Sequence, residues 1–368
     1  MSTYKLRIKT IIVFFIILPV FLALIAGEIY VRIFREYITP EIIKERSLQY
    51  APSLFSQIVF PEKKQIIGKC WHPEYIINSQ GYRGKDFTKK KNDGTIRILV
   101  FGGSSVFDIY QSEGRDWPHQ VEQMLKDNGL SNIEVINAGI PGHNTFDSFG
   151  RLFSDGWTLN PDLVILYEAW NDIGWYFTSN ITIQRSIKTY SESEDVRISY
   201  QSFIDKILCE YSQLYVRLRD RYYDWKYDIG LEGASKGIEN NAEITDQSLR
   251  QYKINLEMFV DLANNIHATP ILVTQARLVD KNNTPEEKSI IEDQSEMAHK
   301  NILRAFEKVD EIIMEVSVSK KVHVVDASKT ISGKIKFFID AIHTSNDGSY
   351  QLAKIVSNYL LVLIKKPK

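Results

Sequence analysis

Short apolar runs alternate with amphipathic stretches along most of the chain. Runs of four to eight residues, rich in β-branched side chains and separated by helical patterns, are typical of buried parallel strands in βαβ units. The runs are RILVFG (97–102), NIEVINAG (132–139), DLVILYEA (162–169), PILVTQ (270–275) and VHVVDAS (322–328). Helical periodicity is strongest around Trp117–Asn128, from about Asn144, and after Asn346. The pattern predicts a three-layer α/β/α domain over residues 96–365, with a parallel sheet of about five strands.

A second pattern precedes this domain. Thr10–Gly27 is a run of 18 residues without a charge, close to the roughly 20 apolar residues that a membrane-spanning helix needs. It lacks the A-x-A spacing of a cleaved signal peptide, so we expect an uncleaved signal anchor rather than a buried core helix. Lys5, Arg7 and Lys9 favour a cytoplasmic tail over residues 1–9, although basic residues also follow the run. This predicts a single-pass cell membrane protein with its large domain outside the cytoplasm.

Two regions do not follow the strand and helix alternation. Residues 28–95 contain several prolines and turn-rich sequences, which predict a stalk and an irregular lead-in. A stretch at about 175–245 has no candidate strand but is helical and unusually aromatic. An insertion of this length is commonly a lid or a binding element, although its aromatic side chains are also suited to packing.

The composition excludes several classes of protein. The chain has 368 residues, 44% of them hydrophobic and 25% charged, which is typical of globular proteins. Its 45 Lys and Arg residues balance 46 Asp and Glu residues, so a general nucleic-acid binder is not expected. Cys70 and Cys209 form no CxxC motif; they are either two buried thiols or a disulfide of an oxidising compartment.

Polar residues follow the predicted strands. Ser104 lies in FGGSS after the first strand, Gly139 in NAGIPG after the second, and Asn171 in YEAWND after the third. Asp340 and His343 lie in DAIH, a short distance beyond the fifth. Ligands of open parallel sheets bind beyond the carboxyl ends of the strands, so we expect these residues to meet at one edge.

This set of residues fits acyl-transfer chemistry. A serine hydroxyl needs an adjacent base, and His343 is the candidate base with Asp340 as its orienting partner. The negative oxygen of a tetrahedral intermediate needs hydrogen-bond donors. The backbone N–H groups of Ser104 and Gly139 and the Asn171 amide are the candidates. Ser105 is the neighbouring alternative to Ser104 as nucleophile.

The four motifs in this order resemble those of the SGNH/GDSL hydrolase family. The resemblance implies a flavodoxin-like sheet, no metal and no organic cofactor. It makes Ser104 the nucleophile, Asp340 and His343 the rest of the triad, and Gly139 and Asn171 oxyanion-hole donors. The family pattern is changed at two positions, because the aspartate of its GDS motif is replaced by Gly103 and the glycine two residues before the asparagine by Ala169.

Other polar and aromatic residues near these motifs leave alternatives open. His143 is suited either to lining the pocket or to the surface. Trp170 and Trp175 are suited to a substrate wall or to core packing, and Asp172 to a structural hydrogen bond. The remaining histidines have no metal-ligand spacing, so no metal site is predicted.

Three functions are compatible with the sequence. The first is a membrane-anchored serine esterase that removes acyl groups, above all O-acetyl groups, from an extracytoplasmic glycan; a lipid ester is a further substrate class. The second is an O-acyltransferase that uses the same site to modify an envelope polysaccharide or exopolysaccharide. The third is a non-catalytic glycan-binding or assembly protein on a hydrolase fold. The expected partners are an acylated glycan or lipid and the membrane, not nucleic acid.

Overall fold

The computed structural model describes residues 15, 17–35, 75–154, 156–178, 202–227, 244–295 and 297–365. The chain divides into two compact units. One consists of residues 1–47 and 189–234, and the other of residues 48–188 and 235–368. The second unit contains the sheet and all the residues of the predicted site.

Five parallel strands form the sheet of the second unit, in the order β2-β1-β3-β4-β5. They are β1 (Ile96–Gly102), β2 (Ile133–Asn137), β3 (Leu163–Tyr167), β4 (Thr269–Val273) and β5 (His323–Val325). The central pairing aligns Val100 of β1 with Asn137 of β2 and Ile165 of β3. This is the flavodoxin-like order, and the predicted α/β class with a five-stranded parallel sheet is confirmed.

Helices of the second unit cover both faces of the sheet. In chain order they are α2 (Ser104–Phe107), α3 (Trp117–Asp127), α4 (Thr145–Ser154), α5 (Trp170–Thr178), α8 (Asp246–Asn265), α9 (Pro285–Ser295), α10 (His299–Lys320), α11 (Ser328–Ile331) and α12 (Asn346–Lys365), with 3₁₀ turns at Gly156–Leu159 and Ile335–Phe337. The first unit contains α1 (Leu18–Phe34), α6 (Phe203–Tyr211) and α7 (Gln213–Tyr227). The β1-to-β2 connection runs opposite to the later ones along the sheet, so right-handed crossovers place their helices on opposite faces. Accordingly α3 packs with α12, and α8 packs with α4 and α10.

The strands are continuous apolar runs because the helices cover both of their faces. All five residues of β3 are buried, and Phe101 of β1 contacts Phe259 of α8 edge to face. The carboxyl ends of β1 and β3 therefore lie in the middle of the sheet, with rigid surroundings. This is where Ser104 and Asn171 follow.

The predicted membrane span is only partly within the described residues, since residues 10–14 and 16 lie outside them. The described part belongs to α1, a helix of 17 residues that begins at Leu18. No helix in the described part of the chain is both long and apolar enough to cross a membrane. The cytoplasmic tail, residues 1–9, also lies outside the described residues, and the anchor stays a prediction.

The first unit joins α1 to the two described helices of the insertion. The Glu28 carboxylate of α1 accepts hydrogen bonds from the N–H groups of Gln213 and Leu214, at 2.9 and 2.8 Å. It thus caps the start of α7, where unpaired N–H groups favour an anion. Cys209 on α6 is buried, whereas Cys70 lies outside the described residues, so a disulfide between them stays untested. The described helices of the insertion, α6 and α7, therefore pack in one unit with the N-terminal helix.

The end of the predicted lead-in belongs to the second unit. Tyr75 and Ile77 are buried, and Arg83 forms isolated bridges with Ile77 and with Asn137, the last residue of β2. The Arg83 guanidinium is fully buried, 3.4 Å from an Asp116 carboxylate oxygen, and donates to the carbonyl oxygen of Gln111 at 2.6 Å. A buried arginine therefore fixes the last part of the predicted stalk and lead-in to the domain.

Three buried carboxyl groups of the second unit predict how its stability depends on pH. Burial raises the pKa of Asp108 to about 7, of Asp147 to about 7 and of Glu168 to about 8. Below these values the native state holds protons that the unfolded chain loses near pH 4, so stability decreases as the pH rises from about 5 to 8. We expect the melting temperature to fall over this range, and to fall less in Asp147→Asn. A melting temperature that rises from pH 5 to 8 would contradict this.

Candidate active site

Ser104 lies where β1 ends and a short helix begins. Gly102 is the last residue of β1, and a Cβ atom there would overlap the carbonyl oxygen of Tyr167. Gly102 therefore has no room for a side chain beside β3, with which it pairs. Ser104 then begins α2 and is half-buried, whereas Ser105 is buried. The serine side chain is thus held by rigid backbone at the carboxyl end of the sheet.

His343 connects the serine to an aspartate. Its Nε2 atom lies 2.8 Å from Ser104 Oγ, and its Nδ1 atom lies 2.6 Å from Asp340 Oδ2. The other oxygen of Asp340 accepts hydrogen bonds from the N–H groups of Ile342 and His343, at 2.9 and 2.8 Å. Burial raises the pKa of this carboxyl, but the hydrogen bond and charge of His343 and these N–H groups outweigh it, so the pKa lies below its ordinary value. Asp340 is therefore ionised and oriented.

The segment that carries Asp340 and His343 is held by hydrogen bonds within it and by others to Gln294 and Leu278. The Ile339 N–H donates to the carbonyl oxygen of His343 at 2.9 Å, which closes a tight loop. The N–H of Ala341 donates to Gln294 Oε1 at 2.7 Å, and its carbonyl oxygen accepts from Leu278 N–H at 2.7 Å. The Tyr110 ring meets the imidazole edge to face, with centroids 5.4 Å apart. Sequence analysis gave no signal for this tyrosine.

Ser105 has a different environment from Ser104. Its hydroxyl oxygen accepts a hydrogen bond from Gln275 Nε2 at 3.1 Å, and its carbonyl oxygen accepts one from the Trp117 indole at 2.9 Å. Both contacts are buried. Of the two serines, the structure places Ser104 against His343.

The predicted oxyanion donors differ in their availability. The Asn171 amide nitrogen donates to the carbonyl oxygen of His143 at 2.7 Å, and a second hydrogen remains on that nitrogen. The Gly139 N–H instead donates to the Asn137 side chain at 3.0 Å, so this group is engaged in the structure, and its role as an oxyanion donor stays a prediction. The asparagine that ends β2 takes this group, and a Cβ atom at Gly139 would overlap the backbone of Phe107.

Gly142 is a better candidate donor, and sequence analysis missed it. It lies next to His143, which binds Asn171, and its φ of 82° is a conformation that favours glycine. Neither its N–H nor that of Ser104 donates to another described residue. The available signal was the second glycine of NAGIPG, in a turn after proline.

Three further residues, His143, Trp170 and Trp175, are predicted from the sequence as candidates for substrate binding. His143 is buried, and burial together with Arg151 lowers its pKa to about 3, so its imidazole is neutral and not on the surface. Trp170 is half-buried and stacks on Phe306 with centroids 6.2 Å apart, which is core packing. The Trp175 side chain lies outside the described residues.

The sequence predicts a structural hydrogen bond for Asp172 and no metal site. Asp172 is buried and accepts hydrogen bonds from the hydroxyl and N–H of Thr145, at 2.6 and 3.0 Å, as expected of a structural group. No cluster of three or more His, Cys, Asp or Glu side chains within the described ranges is arranged to hold a metal ion.

Comparison with known proteins finds similar solved structures. No protein-family model matches the chain, and no curated protein matches it significantly. Similar solved structures include a lipase/acylhydrolase from Enterococcus faecalis, with a TM-score of 0.43 and 17% identity over 72% of this chain and 95% of that one. The acetyl xylan esterase AlAXEase has a TM-score of 0.43 and 14% identity over 72% and 100%. TesA has 0.42 and 16% over 72% and 97%. Function is therefore inferred from this chain's own residues.

Proposed function

We propose that the protein is a serine esterase of the SGNH/GDSL family. The observation that carries the proposal is the continuous line of hydrogen bonds from Asp340 through His343 to Ser104, with distances of 2.6 and 2.8 Å. An aspartate that holds Nδ1–H leaves the lone pair of Nε2 pointing at the serine hydroxyl. The three side chains therefore have the geometry of a base-activated nucleophile.

The reaction follows from these positions. Ser104 Oγ attacks the ester carbonyl carbon while its proton passes to His343 Nε2. The tetrahedral intermediate collapses, the proton passes to the leaving alcohol oxygen, and an acyl-serine ester remains. Water then attacks that ester with the same base, which releases the acid and the free serine. The N–H groups of Ser104 and Gly142 and the second hydrogen of the Asn171 amide donate to the negative oxygen of each intermediate.

The substrate class and the location belong to the same proposal. We assign to the enzyme small acyl groups, above all O-acetyl groups of an extracytoplasmic glycan, and membrane attachment through residues 10–27. The support is the charge-free N-terminal run and the sequence resemblance. Transfer of the acyl group to a sugar hydroxyl instead of water would use the same acyl-serine.

Ester hydrolysis by the full chain in detergent tests the proposal. We expect turnover of p-nitrophenyl acetate, with lower rates for the butyrate and octanoate esters. A fluorophosphonate probe should label the peptide that contains Ser104, as read by mass spectrometry. Turnover that appears only when an oligosaccharide acceptor is added would indicate the acyltransferase. Neither turnover nor labelling under any of these conditions would contradict the proposal and favour a binding protein.

The oxyanion role of Asn171 predicts a specific loss. Asn171→Ala removes one donor to the intermediate, and we expect kcat to fall by about 10²–10³-fold with a much smaller change in KM. Asn264→Ala, on the exposed surface of α8, is the matched control and should behave as wild type. Equal kinetics of the two variants would show that Asn171 does not stabilise the intermediate.

A further inference from the structure

Glu168 lies directly after β3 and is 2% exposed. One carboxyl oxygen, Oε2, accepts the N–H of Gly103 at 2.7 Å. The other, Oε1, accepts the N–H groups of Asn171 and Ala169, each at 3.0 Å. A single buried carboxyl therefore connects the residue before the candidate nucleophile to the candidate oxyanion donor.

Gly103 has no room for a side chain next to this carboxyl. A Cβ atom at Gly103 would lie 2.5 Å from Glu168 Oε2 and 2.7 Å from the carbonyl oxygen of His143, and would overlap the Asn171 amide nitrogen. The φ of Gly103 is −87° and its ψ is −146°, and the Cβ contacts show that a side chain has no space at this position. In the family that the sequence resembles, an aspartate occupies this position. Here the carboxyl of Glu168 fills the space that a side chain at 103 would take.

We propose that Glu168 is a positioning residue, which sets the distance between Ser104 and the Asn171 amide through the Gly103 and Asn171 N–H groups. This inference rests on the proposed esterase function. The two loops come from different strands, and a misplacement of about 1 Å between reacting groups costs on the order of 10²-fold in rate. A short, buried carboxyl bridge removes that freedom.

The electrostatic surroundings of Glu168 give the bridge a characteristic pH dependence. Burial raises the pKa of Glu168 to about 8, and the nearby Asp172 carboxylate on α5 adds to the increase. From α8 the Tyr252 hydroxyl donates to the Glu168 carbonyl oxygen at 2.9 Å, and the neutral His143 follows β2. Ionisation above pH 8 adds a negative charge beside Asn171, where it opposes the negative oxygen of the intermediate. The wild-type kcat should therefore decline above about pH 8.

Glu168→Gln tests the bridge with little change of shape. One carboxyl oxygen becomes an NH₂ group that faces a backbone N–H, so one connection is lost. In p-nitrophenyl acetate hydrolysis by the full chain, between pH 6 and 9.5, we expect kcat to be roughly 10- to 100-fold lower, with KM within about threefold of wild type. We also expect the decline above pH 8 to disappear, a change that a purely structural defect would not produce.

Gly103→Ala tests the same bridge from the other side. Its methyl group should displace the Glu168 carboxyl and the Asn171 amide, and should lower kcat at least as much as Glu168→Gln. Gly174→Ala is the matched control, since a Cβ atom at Gly174 on α5 meets nothing within 4 Å, and it should retain wild-type kinetics.

The outcomes of these experiments distinguish the positioning role of Glu168 from the proposed esterase function. If wild type is active and folded Glu168→Gln has the same kcat and pH profile as wild type, the positioning role is overturned. The proposed esterase function is then unaffected. If the Glu168 variants do not fold, Gly103→Ala decides: activity within twofold of Gly174→Ala overturns the role. If wild type neither hydrolyses esters nor reacts with a fluorophosphonate, the proposed function fails and the role of Glu168 fails with it.

Discussion

Ser104→Ala is expected to lower kcat/KM for p-nitrophenyl acetate by at least about 10³-fold, because the alanine has no hydroxyl to attack the ester. The residual rate over water would come from substrate binding and from the oxyanion donors. The folded state should be unchanged, since Ser104 is half-buried and its hydroxyl lies within hydrogen-bond distance of His343, at 2.8 Å, and of no other side chain among the described residues. Initial rates and thermal unfolding of the same preparation check both statements.

Ser105→Ala is the matched control for this experiment. It removes a hydroxyl one residue away whose contact is with Gln275, at 3.1 Å, and not with His343. We expect its kcat/KM to stay within about threefold of wild type, as for a substitution outside the reacting groups. The opposite pattern, an active Ser104→Ala and an inactive Ser105→Ala, would move the nucleophile to Ser105.

The second large effect is expected from Asp340→Asn, which should lower kcat by roughly 10³–10⁴-fold. Two backbone N–H groups bind Oδ1 of Asp340 at 2.8 and 2.9 Å, so the asparagine would keep its oxygen there. Its NH₂ group would then face His343 Nδ1. That contact favours the imidazole tautomer with a hydrogen on Nε2, and this tautomer cannot accept the proton of Ser104.

Asp347→Asn provides the control for a lost carboxylate, since Asp347 is exposed in the first turn of α12. It should retain wild-type kcat. The variant Asp340→Asn should retain the fluorophosphonate site but react with the probe far more slowly. If its kcat lies within about tenfold of wild type, the base does not depend on Asp340 and the triad is wrong.

Much of the fold was predictable because buried parallel strands must be apolar on both faces. Each of the five apolar runs became a strand, with bounds shifted by a few residues; the run at 162–169, for example, became Leu163–Tyr167. Periodicity could not reveal that the insertion helices belong with α1, since this depends on contacts such as that of Glu28 with Gln213 and Leu214. It also did not show that Arg83 fixes the lead-in to the domain.

For the candidate site, too, the sequence predicts some of the residues but not others. Ser104, Asn171, Asp340 and His343 could be selected from the sequence, because chemistry restricts which residue types act as nucleophile, donor, acid and base. For Gly139 the sequence could not show whether the backbone N–H is available, because this depends on the conformation of the turn around it. Here Asn137 takes that N–H, whereas the N–H of Gly142 donates to no other described residue.

The residue order alone establishes the strand and helix pattern, the charge-free N-terminal run and the residue types for serine-dependent acyl transfer. Folding decides which of these residues meet. It brings His343 to within 2.8 Å of Ser104 across 239 positions of the chain, and it places the Glu168 carboxyl against Gly103 across 65. The physical reason is that composition and periodicity are local properties. The distance between two loops is set by strand order, crossover handedness and the packing of the side chains between them.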